Sequence, residues 1–170
     1  FFMHMFLSTF RSTIYVYAGS PELGEGYPSN GIVLPHDSRP RLVKEAVPLL
    51  GGMSRREVAR TYHAYFSDYE VEKRCQTPLA LYTDTNNLTT ITRYYTNGVG
   101  NGRVASIEHP DGTLTTYAYS YDPSSQTLTT TEESGEASGG SVIDGTRTVS
   151  AMNEAGNTLY TRQEDIVSGK

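Results

Sequence analysis

The chain has 170 residues, of which 36% are hydrophobic and 19% are charged, with 13 tyrosines, 16 glycines and no tryptophan. The net charge of −5 and the scattered basic residues argue against a nucleic-acid partner, which requires a clustered basic surface. The single cysteine, Cys75, excludes an internal disulfide and a cysteine-based zinc site. Abundant threonine and tyrosine favour β-structure, because these side chains lose rotamer freedom in a helix.

The N-terminal region, residues 1–54, contains strand and loop patterns without a defined organisation. Alternation over Thr13 to Tyr17 predicts a strand, and the stretch 18–40, rich in Gly, Pro, Ser and Asn, predicts loops. Residues 41–50 fit either a short helix or an edge strand, with a break at Pro48.

Both ends of the sequence resemble positions within a longer chain. Residues 1–7 are apolar, but they are too few to cross a membrane and lack the preceding basic residues of a signal peptide. No initiator methionine is present, and no closing feature precedes Lys170. We therefore expect an internal segment of a longer protein, without membrane insertion by this segment.

Residues 55–170 are expected to form an array of β-hairpins, which is clearest at 80–165. Residues 55–75 fit one helix less well than two strands, because β-forming residues such as Tyr62, Tyr65 and Val71 recur through them. The turn between these two strands is predicted near Ser67 and Asp68.

The rest of the array alternates predicted strands with polar turns. Strands are predicted at 88–95, 103–108, 113–121, 127–131, 146–152 and 158–163. Turns or loops are predicted at 97–102, 110–112, 122–125 and 153–157. Residues 134–142 are predicted to be a mobile loop, and Asp144-Gly145 is predicted to open the next hairpin.

The sequence also repeats itself at a spacing of 31 to 33 positions. Asp111-Gly112-Thr113 recurs as Asp144-Gly145-Thr146, and Thr127-Leu128 recurs as Thr158-Leu159. A single hairpin cannot bury a face, so neighbouring hairpins are expected to pair side by side and extend one sheet.

Several short motifs occur in a fixed order along this array. They are Gly102-Arg103-Val104, Pro110-Asp111-Gly112-Thr113 and Tyr119-Ser120-Tyr121-Asp122, with partial copies of the last at Tyr94 to Asn97 and Asn153 to Asn157. Together they resemble the YD repeats of Rhs-type proteins, in which a Tyr-Asp core is combined with a Gly-Arg element and a connecting Pro-Asp-Gly turn.

This resemblance implies an all-β fold of consecutive antiparallel hairpins in an extended, curved sheet that forms part of a β-shell. It implies a large secreted or cell-surface protein whose shell encloses a C-terminal domain, often a toxin. The segment itself would be non-catalytic, with neighbouring repeats, the enclosed domain or surface glycans as partners. The residues expected to have structural roles in the repeat are Gly102, Arg103, Pro110, Asp111, Gly112, Tyr119, Tyr121, Asp122, Asp144, Gly145 and Gly156.

The best candidate for ligand binding is the tyrosine row Tyr117, Tyr119 and Tyr121, because alternate residues of a strand share one face. Exposed rings on a flat sheet can stack on sugars, which gives the alternative function of a carbohydrate-binding adhesion module. The competing interpretation, which we favour, is that these rings pack against the adjacent hairpin.

No catalytic, cofactor or metal site is expected from the sequence. No two histidines have metal-ligand spacing, and the aspartates do not form a calcium-loop pattern. An enzyme in residues 18–78 would require His36, Asp37, His63 and Cys75 to converge in one pocket.

Overall fold

A computed structural model describes residues 11–28, 38–49, 54–167 and 169. These residues form ten strands and one short 3₁₀ turn, Pro21–Leu23. The strands are β1 (Ser12–Val16), β2 (Leu42–Pro48), β3 (Arg55–Tyr65), β4 (Tyr69–Arg74), β5 (Leu88–Tyr94), β6 (Val104–Glu108), β7 (Leu114–Asp122), β8 (Thr127–Ser138), β9 (Ser141–Asn153) and β10 (Thr158–Asp165). They pair in chain order within one ten-stranded sheet, which confirms the all-β prediction of consecutive hairpins.

The segment for which the sequence allowed a helix or an edge strand is the strand β2. It pairs antiparallel with β1 on one side and β3 on the other. Pro48 is its last residue. The two strands predicted within 55–75 are β3 and β4, and the Phe66 N–H donates to the Tyr69 carbonyl across their turn at 2.8 Å.

The hydrophobic core lies in a first compact unit, which contains the described residues of the ranges 1–65 and 72–88. Leu42 of β2 lies opposite Tyr62 of β3, and both side chains are fully buried. The ring of Tyr82 packs edge-on against Tyr62 with centroids 5.8 Å apart. Tyr27 packs edge-on against Tyr82 at 5.4 Å, so three rings from distant positions close this core.

A second compact unit, residues 66–71 and 89–170, buries far less. Its buried hydrophobic side chains among the described residues are Val71, Leu114, Val142 and Ala151. Most side chains of β7 to β10 are half-buried or exposed. The stability of this part of the sheet therefore depends mainly on cross-strand pairs.

The prediction of a mobile loop at 134–142 is wrong. Strand β8 continues to Ser138 and β9 begins at Ser141, so only Gly139 and Gly140 form the turn. Their φ angles of +60° and +82° suit the tight two-residue turns of β-hairpins, which require positive φ. The composition of the segment suggested a loop, but the glycine pair makes a tight hairpin instead.

The turn predicted at Asp144-Gly145 is also wrong, because both residues lie inside β9. Gly145 is paired with Gly135 of β8, and the two have φ angles of +142° and +155°. A Cβ on Gly135 would lie 2.0 Å from the Asp144 carbonyl oxygen, and one on Gly145 would lie 2.1 Å from that of Ser134. Glycine here permits a close backbone approach within a hairpin, rather than a turn.

Replacement of Gly145 by alanine is expected to lower the free energy of unfolding by about 2 kcal/mol or more, because the added Cβ has no space. The matched control is Gly139→Asn, where nothing lies within 4 Å of the added Cβ and asparagine tolerates the φ of +60°. Urea denaturation followed by circular dichroism measures both variants. Equal stability of the two would contradict the close approach.

Candidate functional site

Two of the motif aspartates organise the turns in which the sequence predicted them. The backbone N–H and the hydroxyl of Thr113 both donate to Asp111 Oδ1, at 3.0 and 2.7 Å. Asp122 Oδ1 accepts the N–H and hydroxyl of Ser124, and its Oδ2 accepts the hydroxyl of Ser125. These hydrogen bonds lower the pKa of the Asp122 carboxyl to about 2 and also lower the pKa of Asp111.

The glycines of the motif hold turns at positive φ. Gly112 has a φ of +86° and donates its N–H to the His109 carbonyl, beside the exposed Pro110. Gly156 has a φ of +82° and donates to the Asn153 carbonyl in the turn between β9 and β10. Asp144 and Gly145 do not share this environment, since they lie inside β9.

The Gly-Arg element closes the loop between β5 and β6. Gly102, at a φ of +75°, donates its N–H to the Tyr95 carbonyl, and Tyr95 donates its own N–H to the Arg103 carbonyl. The guanidinium of Arg103 lies over the ring of Tyr119, 5.2 Å from its centroid. The structure thus brings together the Gly-Arg and Tyr-x-Tyr-Asp motifs, which are separate in sequence.

The tyrosine row of β7 is only partly open to solvent. Tyr119 packs edge-on against Tyr95 with centroids 5.9 Å apart, and the hydroxyl of Tyr95 donates to the Tyr117 carbonyl at 2.7 Å. Tyr117 and Tyr119 are half-buried, and desolvation raises the pKa of both phenols. Tyr121 is the exposed ring of the row, with 46% of its surface accessible.

The tight packing around Gly100 was not predicted from the sequence. A Cβ on this residue would lie 2.7 Å from the ring of Tyr95 and 3.1 Å from that of Tyr119. Gly100 therefore belongs to the tyrosine cluster as much as the motif residues do. In the sequence, nothing distinguishes this glycine from the other glycines of the 97–102 loop.

A cleft of about 530 Å³ in the second unit was also missed. It lies between the start of β7 and the tip of the β8–β9 hairpin, and Arg93, Glu108, His109 and Ala137 are among its lining residues. Arg93 donates from Nε and Nη2 to one oxygen of Glu108, at 3.2 and 3.1 Å. The residues that line the cleft come from β5, β6, β7 and the β8–β9 hairpin, so local sequence patterns do not indicate it.

The residues required for an enzyme in the first half are only partly described. His36 and Asp37 lie outside the described residues. His63 Nδ1 lies 3.7 Å from Glu72 Oε2, whereas the Cys75 thiol points to the Ala80 carbonyl at 3.6 Å. Burial raises the pKa of Cys75, which disfavours the nucleophilic thiolate. In the described part of the chain, no three His, Cys, Asp or Glu side chains are grouped to hold a metal ion.

No protein-family model, curated protein or solved structure matches the chain. Among the described residues, none of the helical segments has the length and apolar character needed to span a membrane.

Acidification is expected to remove the contribution of Asp122 to stability. Its folded pKa of about 2 lies below the ordinary value of 3.8, so the contribution is complete above about pH 4 and is lost as the pH falls through about 2. Asp122→Asn keeps one acceptor oxygen, in the place of Oδ1, but removes the charge. Thermal unfolding from pH 7 to pH 2 should show a shallower loss of stability in this variant, whereas Glu154→Gln in another exposed turn should follow the wild type.

Proposed function

We propose that the chain is a non-catalytic wall segment of a larger YD-repeat protein of the Rhs type. The observation that carries this proposal is the part of the sheet formed by β5 to β10. Successive hairpins there pair in chain order, and few of their side chains are buried. Such a sheet extends by adding hairpins, as a wall does, because each unit is stabilised by its neighbours.

The contacts of the motif residues support a structural role. The carboxylate of Asp122 is engaged in three hydrogen bonds of its own turn, and the guanidinium of Arg103 is stacked on Tyr119. Gly102 and Gly156 provide backbone conformations that turns require. Each of these residues thereby fixes a hairpin or joins it to the next one.

The location and cargo follow from the resemblance and remain part of the proposal. A wall of this type belongs to a secreted or cell-surface protein, and it would enclose a C-terminal domain such as a toxin. Neighbouring repeats of the same chain would be its immediate partners. Pairing with these repeats would also protect open strand edges from other chains.

An antiserum against the 122–126 turn tests this proposal on the native protein. Immunoblots of secreted, surface and intracellular fractions should detect a polypeptide several times larger than 18.7 kDa in the secreted or surface fraction. Mass spectrometry of that band should recover peptides from this sequence. A band of 18.7 kDa confined to the intracellular fraction would contradict the wall function.

A second candidate function, glycan binding, is favoured by one feature of the tyrosine face. Tyr121 lies opposite Leu128, which lies opposite Met152 of β9, so the three share one sheet face. Tyr121 and Met152 are 46% and 41% exposed. An exposed ring beside an apolar surface can stack on the C–H face of a sugar.

Two tyrosine variants separate these functions. Tyr121→Ala should abolish any signal on a glycan array while changing the free energy of unfolding by less than about 0.5 kcal/mol. Tyr119→Ala should instead destabilise the sheet by about 1–2 kcal/mol, because Tyr95 and Arg103 lose their partner. An array without a signal for the wild type would exclude this second candidate for the glycans tested.

A further inference from the structure

Three asparagines of the chain are followed directly by glycine, at positions 30–31, 97–98 and 101–102. In such a pair the backbone nitrogen of the glycine can attack the asparagine side chain, because glycine has no Cβ to hinder the approach. The first pair lies outside the described residues. The other two lie in the loop between β5 and β6, where both asparagines are exposed. Exposure alone therefore does not distinguish Asn97 from Asn101.

The reaction of such a pair requires a glycine nitrogen that is free to move. This nitrogen forms a bond to Cγ of the asparagine and gives up its proton, and the side-chain amide leaves as ammonia. Water then opens the resulting cyclic imide at one of its two carbonyls, which yields either aspartate or isoaspartate. A glycine N–H that is already hydrogen-bonded is protected from this reaction, because the hydrogen bond must break first.

The N–H of Gly102 is protected in this way. It donates to the Tyr95 carbonyl at 2.8 Å, in the pairing that closes the loop. The backbone N–H groups of Asn101 and Arg103, on either side of it, donate to carbonyls within the loop at 3.2 and 2.8 Å. Three consecutive N–H groups therefore fix the peptide between Asn101 and Gly102.

The N–H of Gly98 is in a different state. Within the described part of the chain it has no hydrogen-bond acceptor, and the side chain of Asn97 makes no hydrogen bond there either. A Cβ on Gly98 would have nothing within 4 Å, so the surroundings leave space for an imide ring. The hydrogen bond between Tyr95 and Gly102 closes the loop before Asn97, which leaves the first pair of this loop in its open part.

We propose that Asn97 is a site of spontaneous deamidation in the folded protein, whereas Asn101 is protected by the hydrogen bond of Gly102. The conversion adds one negative charge to the net charge of −5. It leaves the hydrogen bond between Gly102 and Tyr95 intact, so the sheet retains its stability in the modified protein. The site does not depend on the proposed function, because β5 and β6 each have a neighbour on both sides in the sheet and the loop belongs to neither edge.

Incubation of the 170-residue chain at mildly alkaline pH, followed by digestion with trypsin and mass spectrometry, tests the proposal. Both asparagines lie in the tryptic peptide 94–103, and fragmentation of this peptide assigns the conversion to one or the other. In the folded protein Asn97 should convert about tenfold faster than Asn101 or more, because the loop must open locally before Asn101 can react. In urea, which unfolds the loop, the two rates should become similar. Isoaspartate among the products distinguishes the imide route from direct hydrolysis of the amide.

Two variants act as matched controls. Asn97→Gln should remove the fast conversion without changing stability, because glutamine would have to close a larger ring. Gly100→Ala should raise the rate at Asn101 towards that at Asn97, since the added Cβ would lie 2.7 Å from the Tyr95 ring and loosen the closed end of the loop. Equal rates at the two asparagines of the folded wild type, or a faster rate at Asn101, would overturn the proposal. An Asn97 that converts in urea but not in the folded chain would overturn it as well.

Discussion

Cross-strand pairing is the constraint on which residues 89–167 depend, because few side chains there are buried on either face of the sheet. A polar row crosses three strands, in which Arg147 of β9 bridges Glu133 of β8 and Glu164 of β10. On the opposite face the hydroxyls of Thr115 and Ser134 lie 2.9 Å apart. Each pair contributes little alone, so a sheet of this kind gains its stability from the number of pairs.

The first unit is stabilised in a different way. Its core contains the Leu42 and Tyr62 side chains, and an ion pair between Arg60 and Glu57 lies beside it. Arg60 donates to both oxygens of Glu57, at 2.6 and 3.1 Å, and to the hydroxyl of Tyr62. Most of the Arg60 side chain is removed from solvent, so this ion pair is more than a solvated surface contact. A conventional core and a nearly coreless sheet thus occur in one chain.

The sequence predicted the positions of hairpins well where turn chemistry is local. Asp111 and Asp122 accept hydrogen bonds from donors two or three residues later in the chain, so neighbouring residues alone determine these turns. The same Asp-Gly pair at Asp144 and Gly145 was misinterpreted, because its role is decided by Gly135 on the opposite strand. Gly135 and Gly145 are ten residues apart in sequence, and a motif of adjacent residues does not indicate that they pair.

The tyrosine row shows the same limit. Alternation correctly placed Tyr117, Tyr119 and Tyr121 on one strand, but it could not tell which ring would be covered. That depended on the loop after β5, where Gly100 lets Tyr95 lie against Tyr119. Sequence therefore indicated the face, whereas exposure was set by contacts between hairpins.

The glycine pair at Gly135 and Gly145 divides the longest hairpin into two parts with different surroundings. Strand β7 pairs with β8 only as far as Gly135, and the paired residues of β10 and β9 begin at Thr146, with one further hydrogen bond from the Ile166 N–H to the Gly145 carbonyl. The tip beyond them is a two-stranded ribbon in which the carboxylates of Glu136 and Asp144 lie directly opposite each other. Its amide hydrogens should exchange with solvent as a separate cooperative group, while those of the adjoining sheet remain protected.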